Sequence, residues 1–160
     1  MSGISNSPPA GTIVDRAYAE YTTNVDLTGT IPDDDTIPQN TEGTQIASVT
    51  ITPKSTTNRL RIRATGFGSN ATSVTAIILA VFSTAGGANA LRATSAIVPA
   101  SAYRENLVLE VETVPGSVSA QTISLRAGPG SGTMRLNGDS IGRKFGGVSG
   151  VSLVVEEIAA

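Results

Sequence analysis

The sequence has no cysteine, no histidine and no tryptophan. Without cysteine, disulfides, thiolate metal ligands and a cysteine nucleophile are excluded. Without histidine the commonest general base, the commonest transition-metal ligand and the Ser/His/Asp arrangement disappear together. Few hydrolytic mechanisms survive those two absences. Charge is also sparse: 15% of the residues are Asp, Glu, Lys or Arg, against roughly 25% in an average globular chain. The longest apolar run, Ala76 to Phe82, falls far short of the roughly 18 residues that cross a bilayer as a helix, so no membrane insertion is expected. The N-terminus, Met-Ser-Gly-Ile-Ser-Asn-Ser-Pro-Pro, lacks the basic and apolar regions of a secretory signal, and a soluble protein made in the cytoplasm is expected.

At 160 residues the chain is long enough for one core-forming domain. Its net charge of −2 is unevenly spread. Residues 1–46 carry seven carboxylates against Arg16 alone, whereas the rest carries ten Lys or Arg against six Asp or Glu. Such halves attract one another, within a chain or between neighbours, over about 8 to 10 Å. The body is too weakly basic, and too poor in aromatic residues, for a nucleic-acid interface.

The composition, rich in Ser, Thr, Ala and Gly, suits strands and tight turns. After an arm over residues 1–12, Ile13 to Thr22 reads as extended. From Gln45 onward, short segments with period-two alternation recur between turn signals: Ile46 to Ile51, Arg59 to Thr65, Val74 to Phe82, Ala90 to Val98, Asn106 to Val114, Gln121 to Ala127, Thr133 to Asn137 and Val151 to Ile158. Between them lie turn-forming stretches, among them Gly66-Phe-Gly-Ser-Asn70, Ala127-Gly-Pro-Gly-Ser-Gly132 and Asn137-Gly138. No segment carries ten residues of helical periodicity with caps. The expectation is an all-β fold, a two-sheet antiparallel sandwich of jelly-roll type with an extended N-terminal arm. Residues 1–12 form the arm, 13–44 an extended segment and connector, and 45–160 the sandwich.

Two strands lack a polar side. Ala76 to Phe82 and Val151 to Val155 are apolar on both faces, as in a strand buried within one chain or one packed against another subunit. The segment Arg59-Leu-Arg-Ile-Arg-Ala-Thr65 behaves differently, with Leu60, Ile62 and Ala64 on one face and Arg59, Arg61 and Arg63 on the other.

The connector, Thr30-Ile-Pro-Asp-Asp-Asp-Thr-Ile-Pro-Gln-Asn-Thr-Glu-Gly-Thr44, concentrates acid. A Ca²⁺ loop alternates its acidic positions and places Gly and Glu at fixed points. Here Gly43 and Glu42 fall elsewhere, and in an extended chain at most Asp33 and Asp35 share a face. Pro32 and Pro38 bias Ile31 and Ile37 toward extended backbone. The stretch therefore reads as a semi-rigid surface strap, with metal binding the lesser reading. Asp34 and Asp35 are candidate partners for Arg59, Arg61 and Arg63, within the chain or across a subunit interface.

Other candidates each carry a bland alternative. Glu110 and Glu112 share one strand face, and Glu156 and Glu157 are adjacent. A glycosidase needs two carboxylates about 5 to 9.5 Å apart across a cleft, but residues i and i+2 on a solvated strand explain Glu110 and Glu112 equally. Gly128-Pro-Gly-Ser-Gly132 lacks the Lys-Ser/Thr and helix of a phosphate loop and reads as a turn. Asn70-Ala-Thr72 matches a glycosylation acceptor without a signal to give it meaning. Tyr103 and Arg104 form the best receptor-binding candidate, against a tyrosine covering the sandwich edge. Phe145, Gly146 and Gly147 offer close backbone approach at a subunit interface, against an ordinary bulge. No cofactor is implied.

Several segments together carry a resemblance: "YTTNVDLTGTIPDDDTIPQNTEGTQI" (21–46), "VTITPKSTTNRLRI" (49–62), "GGANALRA" (86–93), "SAQTISLRAGPG" (119–130) and "FGGVSGVSLVVEEI" (145–158). The chain resembles the β-sandwich virion-surface domain of tailed bacteriophages, found at tail fibre ends and as short stand-alone virion proteins. In that pattern Asp33 falls at a variable position, while Ile31-Pro32, Asp34 to Gln39 and Thr41 to Thr44 match kept ones. The resemblance implies a jelly-roll-like homotrimer without enzymatic activity, made in the host cytoplasm and displayed on the virion surface. Its partners would be other virion proteins, met through the arm, and a host surface receptor or glycan. The chain departs from the fibre-tip pattern in having only a short arm before the domain. Three functions follow as expectations: a tail fibre or appendage domain contributing to host attachment, a capsid decoration protein stabilising the shell, and, least favoured, a glycan-degrading enzyme.

Overall fold

A computed structural model describes residues 7–71, 74–100 and 102–160. Its strands in chain order are β1 (Ile13–Tyr21), β2 (Val25–Leu27), β3 (Thr44–Ile51), β4 (Arg59–Asn70), β5 (Thr75–Ser83), β6 (Arg92–Val98), β7 (Glu105–Thr113), β8 (Gln121–Pro129), β9 (Met134–Leu136), β10 (Gly138–Asp139), β11 (Gly142–Arg143) and β12 (Val151–Ile158). A single 3₁₀ turn, Phe145–Gly147, is the helical content of the described residues. The front sheet runs β1-β12-β4-β7, and the back sheet β3-β8-β5-β6, with all pairs antiparallel. Setting aside the short strands β2 and β9 to β11, two four-stranded antiparallel sheets in which consecutive strands cross between the sheets, except at the β5–β6 hairpin, make a jelly-roll-like sandwich.

Alternation builds the core. Leu60, Ile62 and Ala64 of β4, Leu107 and Leu109 of β7 and Val151, Leu153 and Val155 of β12 face Ile77, Leu79 and Val81 of β5 and Ile123, Leu125 and Ala127 of β8. Glu156 and Glu157, neighbours in sequence, part at the sheet: Glu156 lies on the outer face, and Glu157 points inward and is fully buried. One oxygen of Glu157 accepts hydrogen bonds from Lys54 N (2.7 Å), Ser55 N (3.3 Å) and Asn58 Nδ2 (2.6 Å), closing the β3–β4 turn.

Two turn expectations are corrected. Gly66 to Asn70 continues β4, pairing with β7 through Gly68 and with β9 from Gly68 to Asn70. Its glycines serve close packing: a Cβ at Gly66 would meet Val151 at 2.8 Å, and one at Gly68 would meet the Arg135 carbonyl at 2.8 Å. Ala127 to Pro129 likewise belongs to β8, paired with Ile77, Ile78 and Leu79 of β5.

The two-sided apolar strand is explained inside one chain. Ala76, Ile78, Ala80 and Phe82 form the outer face of β5, where Ile31 of the strap, 1% exposed, packs on them. The strap is tied down along its length. Ile31 N donates to Pro129 O (3.0 Å), Gly43 N to Thr30 O (2.8 Å), Ala90 N to Pro38 O (2.9 Å) and Asn40 N to Ala88 O (2.8 Å). Arg126 closes it by donating to the carbonyls of Glu42 (2.6 Å) and Gly43 (2.9 Å). Of its two isoleucines only Ile31 anchors; Ile37 is 56% exposed.

At the arm, Gly11 N donates to Ala159 O (2.9 Å) and Ala159 N to Thr12 O (2.8 Å), so the chain enters beside the point where it leaves. The registers place Ile13, Arg59, Thr113 and Ile158 at this end of the front sheet, and Tyr21, Gly68, Glu105 and Val151 at the other.

Candidate functional site

The far end of the front sheet contains an irregularity that the sequence did not reveal. β9 pairs with Gly68 to Asn70 of β4, and β12 pairs with Arg59 to Thr65 along the same flank and in the same direction. Asn137 N donates to Phe67 O (3.1 Å), completing the alignment. β9 and β12 therefore occupy one strand position, interrupted by an excursion over residues 138–150. Across from it, β1 and β2 make the matching pair, β1 against β12 and β2 against β9.

Both stems of the excursion are clamped. Asn137 takes a left-handed backbone (φ 58°), which Asn tolerates better than most residues. Its buried Nδ2 donates to the carbonyls of Tyr21 (2.8 Å) and Thr23 (3.1 Å), and Asn24 Nδ2 donates to Leu136 O (2.9 Å). Gly150 packs where a Cβ would meet Thr22 at 2.9 Å.

Asp139 holds the middle. It is buried, accepts from Lys144 Nζ (2.7 Å) and Ile141 N (2.9 Å), and lies 3.5 Å from Arg104 Nε. Its own carbonyl accepts from Arg135 Nη1 (3.1 Å), while Arg135 also grips Asp26 through two bonds (2.6 and 2.8 Å). Burial pushes the Asp139 carboxyl up, but the bonds from Lys144 and Ile141 and the charges of Lys144 and Arg104 outweigh it, leaving it below the usual range. For Asp26 the hydrogen bonds from Arg135 dominate, and its carboxyl is also lowered.

This scaffold presents large apolar side chains to water. Ile141 is 83% exposed, Phe145 72% and Val148 85%. Phe145 takes φ 49°, and Gly146 and Gly147 follow at 65° and 93°; three successive left-handed residues turn the chain outward. Val148 overhangs a groove on the outer sheet face with Thr65, Phe67, Asn106 and Val108. Tyr103, also exposed, sits beside Arg104, so the Tyr103–Arg104 candidate and the Phe145–Gly147 candidate meet through Asp139 at one end of the molecule. Asn137-Gly138 and Phe145-Gly-Gly147 were the visible sequence signals; nothing in the spacing said that they bracket Asp139.

The arginine ladder has partners other than the strap. On the outer face Arg16, Glu156, Arg61 and Glu112 lie across four strands in one row, followed by Tyr18, Val154, Arg63 and Glu110. Arg61 pairs with Glu112 (2.8 Å) and Glu110 (3.7 Å), Arg59 with Glu112 (3.4 Å) and Arg63 with Glu156 (3.0 Å). The hydrogen bond from Arg61 holds the Glu112 carboxyl below its ordinary value. A glycosidase's acid must instead be raised, and these carboxylates stand on an open sheet.

In the strap, Asp34 accepts from the Thr36 hydroxyl (2.6 Å) and Thr36 N (2.8 Å), a local turn that lowers its carboxyl. Asp33 and Asp35 are exposed and form no ion pair among the described residues. No group of three metal-ligating side chains comes together among the described residues. Asn70 is buried, with Nδ2 donating to Val98 O (2.7 Å), which shields it as a glycan acceptor; Thr72 lies outside the described residues.

No protein-family model matches the chain, and no curated protein does. Among solved structures the chain is similar to CBM35 from Cellvibrio japonicus Abf62, at 14% identity and a TM-score of 0.34, over 91% of this chain and 100% of that one.

Proposed function

We propose that the chain is a non-enzymatic, self-assembling domain of a tailed-phage virion surface, carried on a tail fibre or similar appendage and contributing to host attachment. The excursion carries this reading. Ile141, Phe145 and Val148 are held out by a clamped scaffold, and exposed apolar groups on a rigid mount are what a contact surface requires. Chain entry and exit lie together at the opposite end of the front sheet, which suits a domain mounted at one end and engaged at the other. The sequence resemblance to virion-surface domains supplies the setting.

The test uses the full chain. Light scattering after size exclusion is expected to give an oligomer at micromolar concentration, a trimer if the resemblance extends to assembly. Immunogold labelling is expected to mark an appendage. Phe145→Asn is expected to keep the melting temperature, because Asn tolerates the left-handed backbone, while reducing self-association or competition for host attachment. A stable monomer that neither binds host cells nor marks any particle overturns the reading. Labelling of the head instead selects the decoration role, in which the arm residues before Gly11 make the contact, since Gly11 and Thr12 are already paired with Ala159.

A further inference from the structure

Three described cations form no ion pair: Arg92, Arg126 and Arg143. Arg126 is engaged with the strap's carbonyls, and Arg92 stands on the edge strand β6. Arg143 is exposed and lies against the backbone of Gly147, between Ile141 and Phe145. The excursion is thus an apolar trio with one uncompensated positive charge in its midst.

The strap presents the reverse. Ile37 is exposed, and beside it Asp33 and Asp35 carry uncompensated negative charge. The strap covers the outer face of the back sheet, against Ile78, Ala93, Thr94 and Ser95. The excursion stands on the outer face of the front sheet, over Phe67 and Val108. With both sheets of one sandwich between them, the two surfaces cannot meet within a chain.

From this we infer that the excursion of one copy docks on the strap of a second copy. Arg143 faces Asp33 and Asp35 there, and Phe145 and its apolar neighbours cover Ile37. The contact joins unlike surfaces, so it is heterologous and propagates around a ring until the rotation closes. Opposite charges fix the register, and the apolar groups supply the attraction. This rests on the self-assembly proposed above and names the surfaces that make it. It also reassigns the strap's acids: the ladder Arg59, Arg61 and Arg63 is already neutralised by Glu110, Glu112 and Glu156, and Arg143 is not.

Charge reversal tests the pairing. Arg143→Glu and, separately, Asp33→Arg with Asp35→Arg are each expected to weaken self-association by about tenfold or more. Asp34 is left intact because it holds the Thr36 turn. Uniform melting curves check that the variants fold. Combining all three changes in one chain restores opposite charges across the contact, and is expected to recover wild-type assembly. Wild-type assembly in both reversed variants, or no recovery in the combined chain, overturns the pairing while leaving self-assembly standing. A monomeric wild type overturns both.

Discussion

The two outer faces of the sandwich obey the same alternation rule and arrive at opposite solutions. The front face exposes a grid of Arg and Glu in which each arginine of β4 reaches a carboxylate on β7 or β12. The back face exposes nothing comparable on β5. Its outward residues are Ala76, Ile78, Ala80 and Phe82, and the chain folds its own strap across them. A charged face remains soluble uncovered, whereas an apolar face needs a cover, and here sixteen residues between β2 and β3 provide it. The lesson is that a strand apolar on both sides need not signal a partner subunit.

The largest expected effect comes from removing that cover's anchor. Ile31→Ala leaves a cavity against Ala76, Ile78 and Phe82 and is expected to cost about 2 to 5 kcal/mol, measured by urea unfolding. Ile37→Ala, at an exposed position of the same strap, is expected to leave the urea midpoint of the unassembled chain unchanged, which isolates burial from composition.

Next comes the pin of the excursion. Asp139→Asn keeps the shape but gives up charged hydrogen bonds, worth about 1.5 to 3 kcal/mol in comparable settings, and trypsin is expected to cut after Arg143 or Lys144 faster than in wild type. The pH dependence has a definite sign. The Asp139 carboxyl is lowered on folding, so its contribution is complete above the unfolded value of about 3.9 and is lost as pH falls through the lower folded value. Pepsin cleavage near Phe145 should accordingly accelerate only below about pH 4, and Asp139→Asn should lack that acid step.

The smallest effect is predicted for the charge grid. Arg61→Gln or Glu112→Gln removes exposed pairs that solvent screens well, and the urea midpoint is expected to stay nearly unmoved. A large loss at Arg61 would mean that the front face is covered in the assembled protein, and the contrast between the two faces would shrink.

Much of the fold was legible because period-two alternation reports burial directly: Leu60, Ile62 and Ala64 face inward as their spacing requires. Gly66 and Gly68 misled because small residues serve turns and tight strand crossings alike, and only the neighbours Val151 and Arg135 distinguish the two. The partners of the ladder were out of reach for a related reason. Alternation tells which side a residue takes, not that Glu112 and Glu156, 51 and 93 residues from Arg61 and Arg63, stand across from them. Asp139 looked unremarkable in sequence, since its burial is created by Lys144 and Arg104 folding over it. That Arg104 beside Tyr103 and Lys144 beside Phe145 converge on Asp139 was invisible for the same reason.

The interrupted strand has a consequence for how such a chain can change. Because β9 and β12 each complete their pairing with β4 on either side of the gap, the thirteen positions from Gly138 through Gly150 contribute nothing to ladder continuity. Lengthening a loop is cheap, about 0.6 kcal/mol for each doubling. The position is therefore a natural graft point, where foreign recognition sequences could be exchanged between Asn24-clamped and Thr22-clamped stems while the sandwich that carries them stays the same.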